Sequence, residues 1–198
     1  MCGIVGIIGS YNPTLIRQMA SIIEHRGPDS CGFLDSRKNK FSIGMQRLSI
    51  LDIANGDQPI KSRDGSVSIF FNGEIYNYKH IRRNLAALGR EFVTNTDTEV
   101  ILQAYLQWGR KAWKKLVGMF SICIIDERGP NPIFLIVRDH VGMKPLYYVE
   151  HNGELMFASE LKSLLIALPF ERKLNNSALF SYLSLRFVSG GKHNVPRY

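Results

Sequence analysis

The sequence predicts an α+β fold with largely antiparallel sheets and helices on their outer faces. Two strand pairs favour it: "MFSICIID" and "PIFLIVRD" are joined by the turn residues "ERGPNP", and "PLYYVEHNGELMFAS" turns on Asn152-Gly153. An Asn-Gly pair between alternating apolar residues is a strong hairpin signal. Helix-like segments come in pairs between groups of strands, which is unlike the strict βαβ alternation of a parallel sheet.

The first half of the chain alternates strand and helix patterns. "MCGIVGIIG" is apolar and predicts a buried strand, and Pro13 then suits the first turn of a helix. That helix presents one apolar face, formed by Leu15, Ile16, Met19, Ile22 and Ile23. "HRGPDSCG" is a loop by composition. Strands follow in "FSIGMQRLSI" and "SVSIFFNGEIY".

The second half begins with two helices. One is expected over 77–88 with a stop at Gly89, and the next starts where Thr96 and Glu99 have capping-box spacing and ends at Gly109. After the strand pairs described above come two short helices near "ELKSLLIAL" and "NSALFSYLSL". The tail "FVSGGKHNVPRY" has the composition of a linker or of an interrupted chain.

Composition narrows the function classes. The 198 residues are 45% apolar and 21% charged, which predicts a globular protein with one main domain. No apolar run is long enough to cross a bilayer, and "MCGIVGIIG" lacks the basic start of a secretory signal, so we expect a cytoplasmic location and no membrane partner. The net charge of +8 is scattered along the chain, without a zinc-finger or RRM motif. We therefore expect no nucleic-acid partner.

The three cysteines differ in context. Cys2, Cys31 and Cys123 form no CxxC pair, so no metal site is expected. Cys123 lies inside an apolar strand and is predicted to be a small buried side chain. If Met1 is removed, Cys2 carries a thiol and an α-amine whose ordinary pKa is near 8. One residue then supplies both a nucleophile and a general base for acyl transfer.

Five other residues carry the chemistry that such a nucleophile needs. Asn72 and Gly73 offer a side-chain NH₂ and an unobstructed N–H for an oxyanion, although Asn-Gly is also a common hairpin turn. Arg47 can bind a carboxylate with two hydrogen bonds, or can face solvent at a strand edge. Asp97 and Glu74 can bind an ammonium group. Alternatively, Asp97 stabilises a helix N-terminus and Glu74 lies on a strand surface.

These groups together suit an α-amino acid with an acyl side chain, such as glutamine. A carboxylate ligand, an ammonium ligand, oxyanion donors and a nucleophile are what that substrate requires. Spacing along the chain does not by itself bring them together.

Nine motifs in order carry a resemblance to a known family. They are "MCGIVGIIG", "HRGPDSCG", "QRLSILD", "QPI", "FNGEIYNY", "TDTEVILQAY", "GMFSICIID", "RDHVGMKPLYY" and "FASELKSLL". The chain resembles the glutaminase domain of the N-terminal-nucleophile, class II glutamine amidotransferases. Within them it is most similar to that of glutamine-dependent asparagine synthetases.

The resemblance implies a four-layer αββα sandwich of two antiparallel sheets, the N-terminal-nucleophile hydrolase fold. It implies hydrolysis of glutamine to glutamate and ammonia through a cysteinyl thioester on Cys2, with its amine as base. By the same resemblance, Asn72 and Gly73 form the oxyanion hole. The residues implied to bind the substrate are Arg47, Leu48, Ser49, Ile50, Leu51, Glu74 and Asp97.

The resemblance also implies a partner. Ammonia would pass to a synthetase domain or subunit that activates aspartate with ATP and magnesium, whereas this domain needs no cofactor or metal. We assign 1–185 to the glutaminase domain and 186–198 to a linker or the start of a synthetase domain. Arg138, Asp139 and Lys144 are interpreted as structural or interdomain residues.

Two alternatives stay open. A glutaminase could serve another acceptor, such as a sugar or a different carboxylate, or the fold could be an inactive binding or scaffold module. The oligomeric state is also open, a homodimer included. The sequence departs from the family where Met45 and Gln46 replace a frequent histidine and arginine, and where Cys31 replaces a small or polar residue.

Overall fold

Two antiparallel sheets form the framework of this computed structural model, which describes residues 1–49, 52, 56–168 and 174–188. The strands are β1 (Gly3–Ile8), β2 (Ser30–Ser36), β3 (Phe41–Arg47), β4 (Ile60–Lys61), β5 (Val67–Ile75), β6 (Gly118–Asp126), β7 (Ile133–Arg138), β8 (Tyr147–His151) and β9 (Glu154–Ala158). One sheet has the order β2-β3-β1-β9-β8 and the other β4-β5-β6-β7. Every strand pair in both sheets is antiparallel.

Helices lie between groups of strands and after the last strand. They are α1 (Pro13–Ser21), α2 (Tyr78–Ala87), α3 (Asp97–Trp108), α4 (Leu161–Ala167) and α5 (Asn176–Leu185), with 3₁₀ segments at Glu24–Arg26 and Gly109–Lys115. The chain divides into two compact units, Met1–Ala167 and Leu168–Tyr198. Helix α5, in the second unit, is capped by the Asn175 side chain, which accepts from the Ala178 N–H at 3.0 Å.

The first unit has four layers, as predicted. Between the sheets lies an apolar core to which Ile43 of β3 and Phe70 of β5 both contribute. A second core lies between β5–β6 and the helices α2 and α3. On the other side of the five-stranded sheet, Ser163 of α4 donates to the Met19 carbonyl of α1 at 2.8 Å, which ties these two helices together. Each sheet is thus covered on both faces, by the other sheet on one side and by a pair of helices on the other.

Most predicted elements are confirmed, but two strands were missed, β2 and the two-residue β4. The Asn152-Gly153 hairpin joins β8 and β9, and both of its residues have positive φ. The predicted helix over 77–88 spans 78–87. β2 begins at Ser30, inside the segment predicted as a loop. Its serines, glycine and aspartate hide the alternation, and it lies at a sheet edge where apolar residues are not required on both faces.

The pairing of β1 with β9 leaves no room for a side chain at Gly6. Gly6 lies opposite Phe157, and a Cβ added there would lie 2.1 Å from the Phe157 ring. Phe157 is fully buried, so its ring has no space into which to move.

We expect Gly6→Ala to destabilise the fold by about 1–3 kcal/mol, the usual cost of overpacking a core. For a chain of this size, thermal unfolding would fall by roughly 2–4 °C per kcal/mol. Gly129→Ala is the matched control, since its Cβ would meet nothing closer than the Asn131 carbonyl at 3.5 Å. Equal melting temperatures for the two variants would contradict this packing argument.

Candidate active site

Cys2 lies directly before β1, beside the end of β3. Its Sγ is within reach of the Leu48 backbone on two sides, accepting from the N–H at 3.4 Å and donating to the carbonyl at 3.7 Å. The register that pairs Gly3 with Gln46 brings Cys2 to this position. The side chain is half-buried and packs against the core between the sheets. In the structure Met1 precedes Cys2, so the Cys2 nitrogen is an amide.

Arg26 fixes the backbone of Cys2, a contact that sequence reasoning did not assign. Its Nε donates to the Cys2 carbonyl at 2.9 Å, and its Nη1 forms an ion pair with Glu160 at 3.1 Å. His25 and Lys162 also contact the Glu160 carboxylate. Although burial opposes it, these hydrogen bonds hold the pKa of Glu160 below its ordinary value. The signal in the sequence is the arginine of "HRGPDSCG", one of the motifs that carry the family resemblance.

Arg47 ends β3 and is buried, so the alternative of a solvent-facing arginine is wrong. Its Nη1 pairs with the Asp57 carboxylate at 2.9 Å, and its Nη2 donates to the Asp52 carbonyl at 3.1 Å. Asp57 itself is largely exposed. The guanidinium therefore already binds one carboxylate at the edge of solvent. The same pairing would bind the carboxylate of a substrate.

Asn72 and Gly73 lie inside β5, so the alternative of a hairpin turn is also wrong. Asn72 is 1% exposed, and its Nδ2 has no hydrogen-bond partner among the described residues. Ser121 lies opposite on β6, and its buried Oγ likewise has no partner in the described part of the chain. At Gly73 a Cβ would lie 2.1 Å from the Met119 carbonyl, so the strand pair requires glycine there. Buried donors left without a partner are costly and are typical of functional sites.

Asp97 is the first residue of α3 and is buried. Thr96, not Asp97, caps this helix, because the Thr96 hydroxyl accepts from the Glu99 N–H at 3.1 Å. The Asp97 carboxylate instead accepts from the Ile75 N–H at 3.0 Å, at the end of β5. Burial raises the pKa of Asp97, and the nearby charge of Glu74 raises it further. The hydrogen bond from the Ile75 N–H acts in the opposite direction but is outweighed. Glu74 itself is exposed on β5.

Short contacts join the segments that carry these residues. Asp52 accepts from Arg47 through its carbonyl and from the Asn95 N–H through its carboxylate at 2.9 Å. It thereby links the end of β3 to the loop before α3. The Ser49 N–H is held by Asp29 at 2.7 Å.

Most of the predicted site residues can be placed on this framework. Leu48 and Ser49 follow Arg47 directly, with Leu48 against the Cys2 thiol, whereas Ile50 and Leu51 lie outside the described residues. Asn72, Gly73 and Glu74 are consecutive on β5, and Asp97 contacts the residue that follows them. Their individual roles stay predictions.

The other cysteines have different surroundings. Cys123 is buried between the sheets, and burial raises the pKa of its thiol. Cys31 is exposed on the edge strand β2. Within the described residues, no group of three or more His, Cys, Asp or Glu side chains could hold a metal ion. None of the described helices is long and apolar enough to span a membrane.

The layered arrangement of sheets and helices defines a known class of fold. A solved structure of glutamine phosphoribosylpyrophosphate amidotransferase from B. subtilis matches it with a TM-score of 0.72 at 19% identity, over 88% of this chain and 45% of that one. A second structure, described as the allosteric regulatory enzyme of purine biosynthesis, matches with a TM-score of 0.71. The predicted α+β fold of two antiparallel sheets is thus that of the amidotransferases.

Sequence comparison gives the family. Residues 1–195 match the glutamine amidotransferase domain, and the chain belongs to this family. It is 41% identical over 195 residues to asparagine synthetase [glutamine-hydrolyzing] 1 of Bacillus subtilis, covering 95% of this chain and 30% of that protein. It is 44% identical over 172 residues to asparagine synthetase [glutamine-hydrolyzing] 2 of the same organism, covering 83% of this chain and 22% of that protein. The chain thus spans less than a third of these relatives.

Asp97→Asn should stabilise the fold at neutral pH. The pKa of Asp97 is higher in the folded than in the unfolded chain, so its ionised form costs stability once the pH exceeds both values. The gain in melting temperature should shrink on acidification through the raised pKa and vanish below about pH 4, the ordinary range of an aspartate.

Asp64→Asn provides a contrast of opposite sign. Hydrogen bonds from Ser62 and Ser66 lower the pKa of Asp64 to about 2. Its removal should therefore lower the melting temperature at neutral pH, and the loss should fade as the pH falls from about 4 towards 2. An Asp97→Asn variant that is less stable than the wild type at pH 7 would contradict the assignment.

Proposed function

We propose that this glutamine amidotransferase domain hydrolyses glutamine through a thioester on Cys2, once Met1 has been removed. The observation that carries the proposal is that two polar groups, the Cys2 thiol and the Asn72 amide, both lie at the core between the sheets. The half-buried Cys2 thiol packs on the core between the sheets, to which Phe70 also belongs. Asn72, two residues further on the same face of β5, has a buried NH₂ without a protein partner in the described residues.

The first half of the reaction forms the thioester. The Cys2 α-amine takes the thiol proton, and Sγ attacks the side-chain carbonyl carbon of glutamine. The negative charge that develops on the carbonyl oxygen is stabilised by the Asn72 Nδ2 and the Gly73 N–H, donors that are already fixed in β5. The amine returns its proton to the amide nitrogen, the carbon–nitrogen bond breaks, and ammonia leaves.

The second half regenerates the enzyme. The same amine takes a proton from a water molecule, whose oxygen attacks the thioester carbon. The bond between carbon and Sγ breaks, the sulfur recovers its proton, and glutamate leaves. Arg26, by holding the Cys2 carbonyl, restrains the backbone from which the amine and the thiol extend.

The substrate's α-groups are held at the two ends of the site. Arg47 binds the α-carboxylate, in exchange with or beside Asp57. Asp97 and Glu74 bind the α-ammonium, and the cationic ligand compensates the charge that burial disfavours on Asp97. Leu48 and Ser49, which directly follow Arg47, line the same wall.

An electrophilic glutamine analogue tests the thiol assignment. We expect it to alkylate Cys2 in the processed chain and to spare Cys123, whose pKa burial raises, and the exposed Cys31, to which the proposal assigns no glutamine-binding residues. Peptide mass spectrometry reads the label, and intact mass confirms the loss of Met1. Cys2→Ala is the control and should lower ammonia release by about a thousandfold or more. Preferential labelling of Cys31 or Cys123 would contradict the assignment.

For the acceptor of ammonia, we propose aspartate in a synthetase domain that uses ATP and magnesium, with this domain itself needing neither. The support is the identity of 41% and 44% to two proteins named glutamine-hydrolyzing asparagine synthetases. An acceptor such as a sugar is the second candidate, since this chain shares its fold with glutamine phosphoribosylpyrophosphate amidotransferase.

Isotope transfer distinguishes the two acceptors. Glutamine labelled with ¹⁵N in its side-chain amide is supplied to the protein together with a synthetase domain, ATP, magnesium and aspartate. We expect ¹⁵N in the asparagine amide, and loss of that label in Cys2→Ala, which can still use added ammonium. Label that reaches a phosphosugar and not asparagine would contradict aspartate as the acceptor.

A further inference from the structure

Gln58 belongs to the motif "QPI", to which the proposed mechanism gives no role. Its side-chain amide makes two hydrogen bonds with the main chain of Phe71 in β5. The Phe71 N–H donates to Oε1 at 2.6 Å, and Nε2 donates to the Phe71 carbonyl at 3.1 Å. One planar amide thus satisfies both main-chain groups of a strand residue, as a neighbouring strand would.

The position of this contact in the sheet is informative. β4 contains only Ile60 and Lys61, which pair with Ile69 and Ser68. Continuing this register places Gln58 opposite Phe71, so its side chain extends the ladder beyond the end of the strand. Without it, the edge of β5 would lack this partner immediately before Asn72.

The same amide reaches the helix that carries Asp97. Gln58 Nε2 lies 3.4 Å from the Thr98 hydroxyl, in the first turn of α3. On the other side, the preceding residue, Asp57, pairs with Arg47 at 2.9 Å. Asp57 and Gln58 together therefore contact three parts of the site. These are Arg47, strand β5 with the oxyanion donors, and helix α3 with Asp97.

The backbone of this segment is itself held in place. A Cβ on Gly32 of β2 would lie 1.7 Å from the Gln58 carbonyl, so β2 requires glycine where it passes this residue. The Ser30 hydroxyl also donates to the Asp57 carboxylate at 2.9 Å. Gln58 thus extends from a firmly packed anchor rather than from a free loop.

We propose that Gln58 is a positioning residue that sets the Asn72 and Gly73 donors relative to the Cys2 thiol. This inference rests on the proposed glutaminase function. Oxyanion donors act only when held to within about 0.5 Å of the productive geometry. A group that offers one donor and one acceptor in a plane is needed at position 58, and an amide meets that requirement. A carboxylate lacks the donor, and a thioether has no donor and is only a weak acceptor.

The test compares Gln58→Met and Gln58→Glu in the processed full chain. We expect kcat for ammonia release to fall about 10- to 100-fold in Gln58→Met, because small misplacements of reacting groups have effects of this size. KM should change less than about threefold, within the two- to threefold spread usual for single interactions, since Arg47 and Asp97 keep their own contacts. Gln18→Met, an exposed change on α1, is the matched control.

Gln58→Glu supplies a readout that a merely structural role would not move. Its carboxyl group, when protonated, regains an O–H donor for the Phe71 carbonyl and still accepts from the N–H. The ratio of its kcat to that of the wild type should therefore rise as the pH falls towards the carboxyl pKa, whereas the ratio for Gln58→Met should stay flat. Melting temperatures measured at each pH separate this rescue from a change in stability.

Each outcome decides the inference. Wild-type kcat in Gln58→Met, or a Gln58→Glu ratio that is flat with pH, overturns the positioning role while the glutaminase function stands. A fall in activity that follows only the loss of folded protein assigns Gln58 to stability and also overturns it. A processed wild-type chain that releases no ammonia from glutamine overturns the proposed function, and this inference with it.

Discussion

The antiparallel register between β1 and β3 is the constraint on which the site depends. Because Gly3 lies opposite Gln46, the chain start meets the end of β3, where the Leu48 backbone contacts the Cys2 thiol on both sides. A slip of one residue would turn every side chain of β1 to the opposite face. The segment before β2 also packs closely on the end of β3, since a Cβ on Gly27 would lie 2.4–2.6 Å from backbone atoms of Gln46 and Arg47.

The site holds polar groups at a cost to stability. Within the described residues, the buried Asn72 Nδ2 and Ser121 Oγ have no hydrogen-bond partner. Burying each of them costs about 1–3 kcal/mol of desolvation. Burial raises the pKa of Asp97, which marks a carboxylate held in surroundings that disfavour its charge. These groups lie on β5, on its partner strand β6 and in the first turn of α3, and the apolar cores on both sides of β5 offset their cost. Such a local conflict with stability is typical of a functional site.

The fold was predictable where local chemistry and periodicity agreed. The Asn152-Gly153 turn demands positive φ, and the helix that ends near Leu88 has one apolar stripe. β2 escaped prediction because its composition is that of a turn, and only pairing with β3 makes it a strand. Asn72-Gly73 has the sequence of a turn as well, yet nine consecutive pairs between β5 and β6 extend the strand through it.

The candidate site, like the fold, was predictable only in part. Residue types indicated Cys2, Arg47 and Asp97, because each has chemistry that glutamine requires. The contacts of Arg26 and Gln58 could not be predicted, since both act through main-chain groups of residues distant in sequence. Hydrogen bonds from side chain to backbone leave no periodic pattern, so only three-dimensional structure reveals them.

The most direct test of the account is a crystal structure of the processed Cys2→Ala chain soaked with glutamine. The account predicts the α-carboxylate at the Arg47 guanidinium, the α-ammonium beside Asp97 and the side-chain carbonyl oxygen within hydrogen-bond distance of Asn72 Nδ2 and the Gly73 N–H. Glutamine whose side-chain carbonyl lies away from β5 would contradict the central claim. Glutamine whose α-groups contact neither Arg47 nor Asp97 would contradict it as well.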